Sequence, residues 1–170
     1  MPDLRAFFHT APRRQFAGVV FRICVARHGE NTLSLRGSLL HGARYNLREY
    51  FGALYTSMEV ETARREAARY YTVPPREGFV EARIELRLTQ VVDLTNRLLL
   101  RKVKVDPDQM VGSRYWIPQE FGLRAWESGV EGLLAPSAAV TGAVNLVVLL
   151  DNQHPGWRIG LRGIAPLAGL

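Results

Sequence analysis

Phe79-Val80-Glu81-Ala82-Arg83-Ile84-Glu85-Leu86-Arg87-Leu88-Thr89-Gln90-Val91-Val92-Asp93, residues 79–93, carries the strongest local pattern in the chain. Apolar side chains recur at Val80, Ala82, Ile84, Leu86 and Leu88 with charged residues between them, the period of two expected of a strand with one dry face and one wet face. Just before it, Pro74, Pro75 and Gly78 break the chain, and before those breakers the spacing is helical. Val60, Ala63, Ala67 and Tyr71 form one apolar stripe and predict a helix within Met58–Tyr71. Further back, Ala53–Ser57 and Val19–Val25 read as short strands, while Arg27–Asn46 is rich in Gly, Ser, Asn and Arg and is expected to be a long active loop. Downstream, Asn96–Arg101 reads as a short helix, Pro107–Ser113 as a loop, and Ile117–Glu127 as a helix with Pro118 near its start. Gly132–Ala135, Ala143–Leu150 and Trp157–Leu161 are short apolar runs separated by Pro, Gly and Asn, as strands of a mixed sheet should be. The expected class is α+β, with one domain over residues 1–170.

With 170 residues and 47% hydrophobic side chains, the chain can bury a core without disulfides or structural metals. The single Cys24 lies in an apolar run and reads as a structural thiol. Ala143–Leu150 is interrupted by Asn145 and too short to cross a bilayer, and Met1–Thr10 lacks the apolar centre of a signal peptide, so a cytoplasmic protein without a membrane segment is expected. The net charge of +6 concentrates anions near the surface, whether nucleic acid, a dinucleotide or an acidic protein. Only Lys102 and Lys104 are lysines, so arginine, whose planar fork suits phosphate and carboxylate, carries nearly all of it.

No phosphate-binding P-loop, zincin helix, paired Cys or His spacing, or nucleophile elbow occurs in the sequence. His9, His28, His41 and His154 are scattered and read as solvated or structural side chains, so no metal is assigned.

Four residues remain in suggestive surroundings: Arg44 within His41-Gly42-Ala43-Arg44-Tyr45-Asn46, Tyr55 within Ala53-Leu54-Tyr55-Thr56-Ser57, Glu66 in the predicted helix, and Ser137 within Leu134-Ala135-Pro136-Ser137-Ala138. Their order and spacing resemble the RES-domain family. That family combines an arginine in a Gly-Arg-Trp-Asn-like loop, a tyrosine ending the next strand, a glutamate eleven positions later and a serine in a Pro-Ser-Ala motif. Asn145 followed by His154-Pro155 resembles its C-terminal asparagine and His-Pro tail, and Arg22 its opening Tyr-Arg motif. The resemblance covers roughly residues 20–160. Two departures stand out: Ala43 replaces the loop glycine, and Leu47-Arg48-Glu49-Tyr50 replaces the Pro-Gly turn that commonly follows.

The resemblance implies an ADP-ribosyltransferase-like fold, a curved mixed β core flanked by helices. It also implies a toxin that cleaves the nicotinamide–ribose bond of NAD, with water or inorganic phosphate as acceptor. No cofactor is needed, since NAD is the substrate. The implied partner is a cognate Xre-type antitoxin, through which alone nucleic acid would be contacted, with a mixed assembly and homo-oligomers among its forms. Cleavage through an oxocarbenium-like state asks for a carboxylate near the ribose, a flat surface for nicotinamide and cations for pyrophosphate. On that pattern Glu66 stabilises the ribosyl cation and Tyr55 stacks on nicotinamide, while Arg44 forks anionic oxygens. Ser137 binds substrate or orients Glu66, Arg22 adds a phosphate contact, and Tyr45 and Asn46 bind substrate beside Arg44. Two other readings stay open: transfer of ADP-ribose to a macromolecule, and a catalytically silent basic module that binds nucleic acid.

Overall fold

Strand β3, Phe79–Asp93, spans the segment its alternation marks out, with Ile84, Leu86 and Leu88 buried and Arg83, Glu85 and Arg87 exposed. The structure is a computed structural model that describes residues 3–170, so Met1 and Pro2 of the expected domain lie outside the described residues. Strand β1, Arg14–Val25, runs antiparallel to β3 along almost its whole length. It begins earlier than the apolar run suggested, because Phe16, Gly18 and Val20 stand opposite Leu88, Leu86 and Ile84 and complete the same inner face.

Strand β2 (Leu54–Ser57) pairs with β5 (Val144–Val148), which pairs with β4 (Gly132–Pro136), and β4 runs parallel to the end of β3. Because β1 meets both β2 and β3, the sheet curls back on itself, while β6 (Arg158–Leu167) extends it along the other side of β3. Val20, Leu54, Ile84, Leu134 and Leu146, drawn from all five strands of the curl, form one core.

A second core lies between the outer side of the sheet and the helices, where Phe8, Phe51, Phe121 and Leu133 are fully buried. Helix α1 (Leu4–Thr10), capped by Asp3, contributes Leu4, Phe7 and Phe8. In the segment expected to be an open loop, the chain forms a 3-10 turn at Ala26–Asn31 and helix α2 at Arg36–His41. Helix α3 (Val60–Ala68) lies on β1 and ends before Tyr71, the last residue of the expected stripe, so Tyr70 and Tyr71 lie beyond its end. Asn96 caps α4 (Arg97–Lys102). Pro107–Val111, expected to be loop, is helix α5, started by a reciprocal capping box between Asp106 and Gln109 with Pro107 at the first position. Helix α6 (Trp116–Glu127) packs Phe121 edge-on against Phe7 and Phe8. The class is therefore α+β, a curved mixed sheet flanked by helices. No helix among the described residues is long and apolar enough to cross a membrane.

Candidate active site

A cleft of about 380 Å³ opens beside α3 and is lined by Arg22 of β1, Tyr55 and Ser57 of β2, Glu66 of α3, Asn145 of β5 and Tyr115 at the start of α6, among others. Its volume suits a small organic ligand, for which pockets of about 300–1,000 Å³ are usual.

Glu66 is the most specifically held side chain in it. One carboxylate oxygen, Oε1, accepts hydrogen bonds from Ser137 Oγ at 2.6 Å, Asn145 Nδ2 at 2.7 Å and the Ala138 amide at 3.1 Å. The other, Oε2, has Arg69 Nη1 at 3.6 Å, an ion-pair distance too long for a hydrogen bond. The carboxylate is thus clamped through one oxygen and left without a hydrogen bond at the other. Its donors come from the β4–β5 connection and from β5, so the α3 residue is oriented by the sheet. Ser137 is fixed in turn, its Oγ accepting from the Ala139 and Val140 amides at 3.1 and 3.0 Å. Of the two roles expected of Ser137, the geometry matches orientation of Glu66; the side chain is buried and absent from the cleft lining.

Tyr55 presents its ring to the cleft and turns its hydroxyl away. The hydroxyl donates to Asn46 Oδ1 at 2.9 Å and accepts from the Tyr45 amide at 2.9 Å. Burial pushes this phenol well above the usual tyrosine range, the bond from the Tyr45 amide opposing the shift, so it stays neutral.

The side chains of Arg44, Tyr45 and Asn46 are absent from the cleft lining, whereas Gly42 and Ala43 just before them belong to it, and Arg44 Nη2 is buried without a hydrogen-bond partner. Arg44 is 7% exposed and spends Nη1 on the carbonyls of Gly112 at 2.7 Å and Met110 at 3.3 Å. Its guanidinium lies 4.4 Å from the centre of the Tyr115 ring, and it is Tyr115 that reaches the cleft. Tyr45 is 2% exposed and belongs to the core shared with the helices. Asn46 is fully buried, its amide donating to the carbonyls of Ser38 at 2.8 Å and Phe51 at 2.9 Å. Arg44 and Asn46 are held by the main-chain carbonyls they satisfy, whereas Tyr45 is held by apolar packing, its hydroxyl buried without a hydrogen-bond partner. Arg22, by contrast, lines the cleft and supplies a cation there, donating to the Ser34 carbonyl at 3.4 Å and lying beside the Cys24 thiol.

The left-handed backbone sits at Gly42 (φ 66°), one residue before Ala43, so Ala43 meets no strain. Glu49 does adopt φ 59°, in the stretch that replaces the Pro-Gly turn. The C-terminal tail is structural: the His154 amide donates to Glu131 Oε1 at 2.8 Å and its ring meets the Gly129 carbonyl at 2.7 Å, away from the cleft lining. Sequence reasoning missed Ser57, Tyr70 and Tyr115, which line the cleft. The Tyr70-Tyr71 pair at the end of the helical stripe was an available signal for the first aromatic wall; nothing local points to Tyr115. No group of His, Cys, Asp and Glu able to hold a metal ion occurs among the described residues.

The fold is shared with a chain of the crystal structure of the M. tuberculosis MbcT–MbcA toxin–antitoxin complex, which aligns with a TM-score of 0.81 and 23% identity over 96% of this chain and 91% of that one. No curated protein matches the sequence. The family profile described as RES domain matches residues 19–159, which takes in every side chain of the cleft and of the loop behind it, and the chain belongs to the RES domain family.

Proposed function

We propose that the chain is the toxin of a toxin–antitoxin pair and acts as an enzyme that consumes NAD, with water or inorganic phosphate as acceptor. The observation that carries this reading is the one-sided clamp on Glu66, whose open Oε2 shares a cleft with the ring of Tyr55 and the cation of Arg22. In the reaction, nicotinamide leaves with the electron pair of the bond to ribose, and positive charge builds on the sugar. A carboxylate fixed in place needs no reorganisation to stabilise that charge. Tyr55 offers its ring face to nicotinamide, and Arg22 meets the pyrophosphate. The acceptor oxygen then bonds to the ribose carbon and gives its proton to solvent. Ser137, Asn145 and the loop behind Tyr55 hold these groups in place.

An antitoxin partner follows by analogy with the similar solved complex, which joins a toxin to an antitoxin; an Xre-type protein in the cytoplasm is the partner we infer. The test is nicotinamide release from NAD by the purified chain, with and without phosphate and repeated for Glu66→Gln. Release that requires Glu66 supports the reading, and phosphate dependence names the acceptor. A folded, antitoxin-free protein that releases none overturns it.

A further inference from the structure

We propose that Ser57 is a positioning residue for Glu66 and acts through the side-chain amide of Asn145; the proposal rests on the reading of Glu66 as the working carboxylate. Ser57 and Asn145 are direct partners in the β2–β5 register, so their side chains stand on one face of the sheet, with Cβ atoms about 5 Å apart. Ser57 Oγ donates to Asn145 Oδ1 at 2.7 Å, and Asn145 Nδ2 donates to Glu66 Oε1 at 2.7 Å. The three groups form one directional chain from strand to strand to helix.

The direction follows from donor and acceptor chemistry. An ionised carboxylate only accepts, so it takes the NH₂ end of the asparagine amide and turns the carbonyl end away from itself. That carbonyl then needs a donor, which Ser57, 3% exposed, supplies. The terminal torsion of asparagine is broad, so an amide held at one end swings, while one held at both ends is fixed. Ser57 therefore locks the plane of the amide, and the amide helps to aim the open oxygen of Glu66. Ser137 and Ala138 hold the same Oε1 from the other side, so loss of Ser57 loosens Glu66 without releasing it.

Ser57 also borders the cleft, and a direct contact with substrate is the rival role. A double-mutant cycle separates the two. Ser57→Ala is expected to lower kcat by about three- to tenfold with KM unchanged, the range for one lost hydrogen bond. In an Asn145→Ala background the same substitution is expected to have no further effect. Factors that multiply in the double variant, or a change confined to KM, would overturn the proposal. A second measurement does not depend on activity: the Asn145 side-chain NH₂ protons, identified by their absence from the ¹⁵N spectrum of Asn145→Ala, should exchange slowly with solvent in the native chain and quickly in folded Ser57→Ala. Unchanged exchange would sink the proposal. If the native chain releases no nicotinamide, the reading of the cleft fails, and the exchange measurement still decides whether Ser57 locks the amide.

Discussion

Glu66 and Arg44 are both charged, both belong to the motifs that mark the family, and the fold treats them in opposite ways. Glu66 lines the cleft with one oxygen held by three donors and the other by no hydrogen bond, only the 3.6 Å ion pair with Arg69. Arg44 is turned inward, bonded to main-chain carbonyls and stacked beneath Tyr115. The difference separates two kinds of motif side chain. A polar group that completes the hydrogen bonding of a loop shapes the wall; a group held firmly at one end and free at the other can act on a ligand. The wall and the working face can be tested separately.

The largest effect is expected where the wall meets α6. A Cβ on Gly122 would lie 1.7 Å from the Tyr45 carbonyl oxygen, a backbone atom that cannot step aside without moving the whole Arg44–Asn46 loop. Gly122→Ala should cost about 4 kcal/mol or more, beyond the usual range for overpacking. Thermal unfolding followed by circular dichroism measures it. A melting temperature within a few degrees of the native value would show that the loop is not pinned by the helix.

Glu66→Gln is next, and it should touch the working face alone. The amide carbonyl can replace Oε1 as the acceptor for Ser137, Ala138 and Asn145, so the clamp survives, while the NH₂ group replaces the open oxygen. Nicotinamide release should fall by about a hundred- to a thousandfold with little change in melting temperature, as when one preorganised electrostatic contact is lost. Equal losses of activity and stability would make Glu66 part of the architecture of the wall.

The same contrast marks how far sequence could be read. Strand β3 and helix α3 were legible because each repeats its pattern over several turns or pleats, and the eleven-residue step from Tyr55 to Glu66 brought out two residues that share the cleft. Helix α5 was not, since Pro107–Val111 is too short to show a helical period; its signal lay in the capping residues Asp106 and Gln109. Helix α1 hid for the same reason, although Asp3 precedes Leu4, Phe7 and Phe8 at helical spacing. Within the site, spacing located Arg44, Tyr45 and Asn46 but not their direction, because consecutive residues in an irregular loop have no period to reveal which side faces inward. Tyr115 is brought to the cleft by α6 from far along the chain, and no local pattern encodes that approach.

Tyr55 joins the two regions, with its ring in the cleft and its hydroxyl in the wall. Tyr55→Phe keeps the ring and leaves the Tyr45 amide and Asn46 Oδ1 without their partner, which should cost about 1–2 kcal/mol of stability. Burial raises both the Tyr55 and the Tyr45 phenol above the ordinary value, so each binds its proton more tightly folded than unfolded. Their stabilising contribution is therefore intact below about pH 10 and lost as pH rises through and beyond it. Melting temperatures across that window should fall, and fall less steeply for Tyr55→Phe. Equal slopes would mean that the Tyr55 hydroxyl is not a buried part of the wall.

The smallest effect is expected at Glu49, on the outer side of the loop. Its φ of 59° is left-handed, a conformation that costs an ordinary residue about 1–2 kcal/mol and glycine almost nothing. Glu49→Gly removes that strain, adds back about 0.5–1 kcal/mol of glycine flexibility, and gives up an exposed ion pair with Arg48 that contributes little. The amide that bonds to the Leu39 carbonyl at 2.7 Å is kept. A net gain of about 0.5 kcal/mol is expected, while Glu49→Ala, which loses the same charge and retains its Cβ, should gain nothing. If the two variants melt together, the effect belongs to the side chain; if glycine alone is stabilised, the turn that replaces Pro-Gly carries backbone strain in the wall, and the loop holds its position against that strain through Asn46 and Arg44.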